Sequence, residues 1–336
     1  MKSVKMASRM GAGVVLRTAI GCIGAVVLAG SAAAQASDYP GGPITLIIPF
    51  SAGGSTDVIG RLIGDRLSTA LKQPVVVENR GGAGGNIGAA QVAKSAPDGR
   101  TLLFGTTGIM SMNDALYSNP GYTLGKDIIP VVYTASISNV LIVNNTLPVN
   151  TTEELVTLLK AHPGKYAFAS SGAGSSTHMS GELFKSMSGT EIMHVPYRGS
   201  GQALVDLMGG EVHMIFDNAP SAVPLVKGGK VKALAVTSKD RLAALPDTVT
   251  LTESVLPGYE SLSWTGVAVP GGTPQDIVDR LNREINMILK QPDVQNRLAE
   301  LGARPTGGTQ DDFKAHIAAE RAKWAKIIAS ANIPKQ

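Results

Sequence analysis

Cysteine is all but missing: Cys22 is the single one in 336 residues, and it lies in an N-terminal stretch that reads as a removable leader. What remains then has no thiol for a disulfide, a nucleophile or a thiolate metal site, so stability has to come from core burial. Roughly 300 residues are enough for two domains of ordinary size to do that. Aromatic residues are scarce at 4%, and no basic stripe interleaved with them occurs, which excludes a nucleic-acid-binding surface. An excess of positive charge is absent as well. The formal +4 comes from Lys2, Lys5, Arg9 and Arg17; taking these four from 30 basic residues leaves 26, against 26 acidic ones. Long hydrophobic runs are lacking, since the uncharged stretch Thr18 to Gly30 is shorter than the ~20 residues a bilayer needs. Basic residues before it and Ser31-Ala32-Ala33-Ala34-Gln35-Ala36-Ser37 after it make residues 1–36 a secretory signal peptide, cut after Ala36. Ala19-Ile20-Gly21 before Cys22 starts with Ala where a lipidation motif has Leu. No repeat of 20–50 residues is present, which excludes solenoids.

What is present is an alternation of strands, small-residue turns and helices. Ile44 to Ile48 is short, apolar and bounded by prolines, as a buried strand should be. Ser51-Ala52-Gly53-Gly54-Ser55 comes next, and then Val58, Ile59, Leu62, Ile63, Leu67 and Leu71 recur at helical spacing from Thr56 to about Leu71. Strands at Val75 to Glu78 and Thr101 to Phe104 flank a helix from Gly84 to Lys94, which predicts a mostly parallel sheet covered by helices. The pattern restarts with a helix over Thr151 to Lys160, capped by Thr152, and a strand Tyr166 to Ser170. A second turn, Ser171-Gly172-Ala173-Gly174-Ser175, leads into a helix through Met179, Leu183, Phe184 and Met187. Strands Met214 to Phe216 and Ala233 to Val236 flank a helix near Ala219 to Lys227. The last part is mainly helical: Pro274 to Lys290, Asp293 to Leu301 and Gln310 to Ser330. Extended crossings near Val131 to Val143 and Tyr259 to Val269 return the C-terminal helices to the first half. The expected lobes are residues 37–138 plus 261–336, and 139–260, with a ligand cleft between them.

Each half thus ends a strand in a Gly/Ser turn at a helix start. Such a start offers unpaired backbone N–H groups and the positive end of the helix dipole, and so binds anions without a charged side chain. Gly53 and Gly54 allow close approach, with Ser51, Ser55 and Thr56 as hydroxyl donors; Ser170, Ser171, Ser175, Ser176 and Thr177 match them in the second turn. Asp57 is awkward beside an anion unless it caps backbone or holds water. The plain alternative is that both are tight turns with ordinary caps. His178 comes directly after the second turn and is a candidate donor, with a cap or packing role as its rival. Arg198 is the cationic candidate. Asp217, which ends a strand with Asn218 beside it, could read a hydroxyl or amine, or cap a helix.

Enzyme signatures fail at single residues. Gly53 to Asp57 and Gly174 to His178 both lack the last glycine of a nucleophile elbow. Gly172-Ala173-Gly174 and Gly82-Ala83-Gly84 have Thr177 and Ile87 where a dinucleotide fingerprint needs its third glycine, and no phosphate loop occurs. The five histidines, His162, His178, His194, His213 and His316, do not have the i,i+4 spacing that gathers metal ligands. No cofactor and no metal are expected.

Tyr39-Pro40, Pro43-Ile44, Ile47 to Asp57, Val76 to Asn86, Pro97-Asp98-Gly99, Ser171 to His178, Val195-Pro196-Tyr197-Arg198-Gly199 and Pro270 to Pro274 resemble, together and over nearly the whole mature chain, the substrate-binding proteins of tripartite tricarboxylate transporters, the Bug family. The resemblance implies an α/β, two-lobed periplasmic binding protein, type II-like, that closes as a Venus flytrap. Hinge strands then join two doubly wound α/β domains. It implies no catalysis. It implies a carboxylate held chiefly by the loops Phe50, Ser51, Ala52, Gly53, Gly54, Thr56, Asp57 and Ser170, Ser171, Gly174, Ser175, Thr177, His178, partly through ordered water. Thr106 and Thr107, at the end of the third strand, join the candidates, and Ile109 to Asn113 is where the far end of the ligand should be read. The ligand stays open among citrate, acidic amino acids, aliphatic dicarboxylates, nicotinate and aromatic acids such as terephthalate. The implied partners are integral membrane transporter subunits, with the protein itself a monomer in the periplasm. The alternatives are a secreted hydrolase using Ser51 or Ser175, and a ligand sensor for a membrane receptor.

Overall fold

The computed structural model describes residues 39–330 and 333–335; the leader and its cleavage point lie outside them. Strand β1 (Ile44–Ile48) runs parallel to β2 (Val75–Asn79) on one side and β3 (Thr101–Thr106) on the other. Helix α1 (Ser55–Leu71) covers one face of these strands through Ile59, Ile63, Leu67 and Leu71. It lies close because Gly60 has no side chain: a Cβ there would stand 2.7 Å from Ile48 Cδ1. A 3-10 turn, Ala83–Gly85, precedes α2 (Asn86–Ala93), so the helix expected from Gly84 starts later. Gly84 and Gly85 both take positive φ there, which ends regular helix. After β3 come a π-helical turn, Gly108–Met112, and the short α3 (Asn113–Leu116).

The long strand β4 (Ile128–Val143) then joins two strand groups. Its first part, up to Ser138, pairs antiparallel with β9 (Leu262–Pro270) and β10 (Ala303–Pro305). From Asn139 on it pairs with β7 (Met214–Asn218) and β8 (Lys232–Val236). Around that second part lie α4 (Thr152–Ala161), β5 (Ala167–Ser170), α5 (Ser176–Ser188), β6 (Met193–Pro196), α6 (Ser200–Gly209) and α7 (Ala219–Lys227). Strand β5 runs parallel to both β6 and β7. The sheet is therefore mixed and not mostly parallel: strands joined by helical crossovers are parallel, while the crossing strands β4 and β9 must run back against them.

Two separate cores result. Ile44, Leu46 and Ile48 pack with α1 and with Val278, Leu281 and Ile285 of α8 (Gln275–Leu289), so the C-terminal helices do return to the first strand group. Val294 and Leu298 of α9 (Pro292–Glu300) extend this core, and Phe313 and Ile317 of α10 (Gln310–Ser330) cover the opposite face beside Trp264. The second core gathers Leu141, Val143, Phe168, Phe184, Phe216 and Tyr259. Each fully buried aliphatic side chain in either core contributes about 1.5–3 kcal/mol. Helix α4 is capped by Thr151, whose side chain accepts from the Glu154 N–H at 3.2 Å. Thr152, the expected cap, is one residue inside, because the extended backbone a cap requires belongs to Thr151. Helix α6 and β10 had no strong periodic signal; glycines punctuate the start and end of α6. No helix among the described residues is long and apolar enough to cross a membrane.

Candidate functional site

The turn after β1 lies against the start of α6, where the Ser51 N–H meets the Arg198 carbonyl and Gly54 approaches Ser200, while the turn after β5 lies against Gly84, Gly108 and Tyr117. Gly54 precedes α1 with extended backbone and supplies no side-chain cap. The first-turn N–H groups of Ser55, Thr56 and Asp57 therefore have neither an intrahelical partner nor a capping side chain. The Asp57 carboxylate is occupied by its own surroundings. It accepts from the Gly53 N–H at 3.0 Å and Asn79 Nδ2 at 2.9 Å, and pairs with Arg61 at 3.0 Å. Burial by itself would raise its pKa, and the hydrogen bonds from Arg61, Gly53 and Asn79 outweigh that, holding it below the usual carboxylate range. Asn79 also donates to the Phe50 carbonyl at 3.0 Å, so it anchors the turn from β2.

The second turn is more self-contained than two open helix starts would be. Ser175 caps α5 and accepts from the His178 N–H at 3.3 Å. The Ser171 N–H donates to Thr177 Oγ1 at 2.8 Å, the Gly172 N–H to Ser170 Oγ at 3.1 Å, the Gly174 N–H to His178 Nδ1 at 3.1 Å, and the Ser175 N–H to the Gly172 carbonyl at 3.1 Å. Four amides expected to face an anion are thus satisfied within their own loop. The hydroxyls of Ser171 and Ser175 also converge on Thr177. His178 stacks on His194 with ring centroids 3.9 Å apart, and His194 Nε2 lies 2.6 Å from Ser170 Oγ. Burial, the neighbouring imidazole and Lys185 bring His178 down to about 3, and burial with Lys185 brings His194 to about 4. Both rings are neutral near pH 7, which leaves His178 Nδ1 free to accept the hydrogen bond from the Gly174 N–H. His178 therefore braces the turn.

Other expected residues fall in different places. Thr107 Oγ1 accepts from the Trp264 N–H at 2.8 Å and ties β3 to β9, while Thr106 is buried in register with Thr265. Asp217 is fully buried and accepts from Ser200 Oγ at 2.5 Å and from Ser221 Oγ. It secures the start of α6, and burial pushes its pKa up to about 6 against those hydrogen bonds. Its neighbour Asn218 is the residue that reaches across, accepting from Ser55 Oγ at 3.1 Å while donating to Asn139 Oδ1 at 2.5 Å. The Arg198 side chain is exposed. With Tyr197, Gln202, Ala83, Gly84, Tyr117, Gly172 and Ala173 it lines an open groove of about 560 Å³ over the meeting line, and its carbonyl accepts from the Ser51 N–H at 3.2 Å.

The two groups meet backbone to backbone. A Cβ on Gly81 would stand 2.7 Å from the Arg198 carbonyl oxygen, and one on Gly108 2.7 Å from that of Gly174. Three polar side-chain atoms from separate segments are buried beside this seam without a hydrogen-bond partner: Ser51 Oγ, Asn86 Nδ2 and Asn113 Oδ1. Asn113 Nδ2 donates to Asn86 Oδ1 at 2.6 Å, and Asn113 Oδ1 lies against Gly174. Asn79, Asn86 and Tyr117 carry no individual signal in the sequence; the first two merely stand in the Val76 to Asn86 motif.

A hydrolytic role for the loop serines finds no support in this geometry. Ser51 Oγ has no partner and hence no base, Ser175 is engaged as a cap, and the Ser170 hydroxyl beside His194 is 0% exposed. Among the described residues no three His, Cys, Asp or Glu side chains gather as a metal site.

The family model for the tripartite tricarboxylate transporter family receptor matches residues 59–333. Among solved structures, Rpa4515 of R. palustris with adipate is 40% identical, with a TM-score of 0.87 over 89% of this chain and all of that one. The periplasmic binding protein BugD is 34% identical, with a TM-score of 0.86 over 89% of this chain and all of its own. MatC of Rhodopseudomonas palustris with bound malate is 33% identical, with a TM-score of 0.83 over 86% of this chain and all of its own.

Proposed function

Since the chain belongs to the tripartite tricarboxylate transporter receptor family, whose relatives are solute-binding proteins and not enzymes, we propose that it captures a small carboxylate in the periplasm and delivers it to the membrane subunits of a transporter. Aliphatic dicarboxylates stand first, because relatives of 40% and 33% identity hold adipate and malate. The lobes are residues 37–138 plus 261–336, and 139–260; β4 passing from one strand group to the other between Ser138 and Asn139 supports that division. The secretory leader supports the periplasmic placement.

The observation that carries the reading is the set of donors without partners at the seam. Ser51 Oγ and Asn86 Nδ2 are buried and unpaired, and the uncapped start of α1 adds its first amides. An anion at a partly buried helix start gains up to about 2 kcal/mol, and no arginine or lysine is required. In the second lobe, Ser175 covers only the His178 N–H of α5, which leaves those of Ser176 and Thr177 for the same ligand.

Thermal denaturation against a panel of mono-, di- and tricarboxylates tests this. A ligand at 100 times its dissociation constant stabilises the folded form by about 2.7 kcal/mol, so at least one carboxylate should raise the melting temperature clearly, with nucleotides inert. A panel in which no carboxylate shifts the transition overturns the reading.

A further inference from the structure

We propose that Tyr117 is the latch that determines how long the closed protein keeps its ligand. Its hydroxyl donates to the Ala173 carbonyl at 2.7 Å, from the first lobe to the tip of the second lobe's turn. Two other hydrogen bonds cross the same seam. The Ser51 N–H to the Arg198 carbonyl is longer, at 3.2 Å, and Ser55 Oγ to Asn218 Oδ1 measures 3.1 Å. Tyr117 makes the shortest of the three, and both residues it joins line the groove.

The two ends of this bond are rigid. Tyr117 directly follows α3, its N–H held by the Asn113 carbonyl at 2.8 Å, and its ring packs against the buried cluster of Leu116 and Trp324. Ala173 sits between Gly172 and Gly174, whose amides are fixed by Ser170 and His178. A bond to that carbonyl therefore acts on the second lobe as a body. The backbones of the two lobes run close beside the bond: Gly84 passes so near the Ala173 carbonyl that any Cβ would collide with it, and a Cβ on Gly172 would stand 3.3 Å from Gly84 Cα. Partial burial raises the Tyr117 pKa above its ordinary value, so the hydroxyl keeps its proton as a donor. None of the unpaired donors assigned to the carboxylate belongs to Tyr117. It acts through the open–closed equilibrium, and the apparent affinity scales with the fraction that is closed.

The inference rests on the reading that closure captures a carboxylate, and its test separates the two. Tyr117→Phe removes one hydroxyl and keeps the ring. A neutral hydrogen bond of ordinary net strength gives a dissociation rate about 2- to 12-fold faster, with the association rate, the ligand ranking and the unliganded melting temperature unchanged. Spin labels at Val76→Cys and Val205→Cys, positions 51% and 62% exposed on opposite lobes, in a Cys22→Ser chain, report closure with no ligand at all. Tyr117→Phe should move that distance distribution toward the open form. If no carboxylate binds but the distribution shifts, the latch stands and the proposed function falls. An unshifted distribution, or a variant that loses melting temperature in place of retention, overturns the latch.

Discussion

Replacing Gly201 by Ala should leave both lobes folded and stop them from meeting. Gly201 lies in the first turn of α6 with helical backbone, so alanine is allowed there and is the better helix former by up to ~1 kcal/mol. Its Cβ would nevertheless run into the Ala52 carbonyl oxygen in the opposite turn, with Ser51 Oγ 3.7 Å away. Neither side can yield by rotating a side chain. The turn is pinned by Asn79 and Asp57, and the start of α6 is held by Asp217 through Ser200. Overpacking of this sort costs about 1–3 kcal/mol, and opening the cleft relieves it. At 1.4 kcal/mol per factor of ten, the closed population falls about 5- to 150-fold, and carboxylate affinity falls with it. Titration calorimetry with the tightest ligand of the panel measures the loss, and urea denaturation of the unliganded variant checks the fold. Wild-type affinity, or a parallel drop in unliganded stability, would refute the reasoning that this seam closes on glycine.

Ser51→Ala breaks no internal hydrogen bond, because Ser51 Oγ is buried without a partner; unliganded stability should hold or rise. Carboxylate affinity should drop by about 10- to 150-fold, as for a donor to a charged acceptor, and unchanged calorimetric affinity would remove Ser51 from the site. Acidification should destabilise the fold below about pH 6.5. His178 and His194 stay neutral in the folded state down to about 3 and about 4, whereas the unfolded chain protonates them near ~6.5. Each then removes up to ~1.4 kcal/mol per pH unit as pH falls. Asp217 acts in the opposite sense: raised to about 6, it contributes stability that is present at low pH and lost as pH rises through that value. Urea midpoints between pH 4 and 7 should flatten in His194→Asn and steepen in Asp217→Asn, and a flat wild-type profile contradicts both assignments.

Elements with a local signature were legible. The spacing of Ile59, Ile63 and Leu67 made α1 readable, and the glycine-serine turns marked where strands end in helix starts. Helix α6 was not, because Gly199, Gly201 and Gly209 interrupt its pattern and its buried contribution is short. The mixed character of the sheet was hidden too, since a strand's direction depends on partners such as Leu262 beside Ser138, far apart in the chain. At the site, what the sequence left hidden was the hydrogen-bond partners: Thr177 and His178 bond within their own turn, Asp57 also meets Asn79 of β2, and Asp217 meets Ser200 of α6.

The sequence by itself carried the family motifs, the balance of 26 basic and 26 acidic residues once Lys2, Lys5, Arg9 and Arg17 are set aside, and the placing of two small-residue turns at helix starts. All of these depend on neighbours along the chain. Only the tertiary structure decided which turn amides remain open, that Asn218 and not Asp217 reaches across, and that Tyr117 meets Ala173. Hydrogen-bond satisfaction is the reason: a donor is free or occupied according to what folding brings within 3 Å or so of it, and those partners lie far away in sequence.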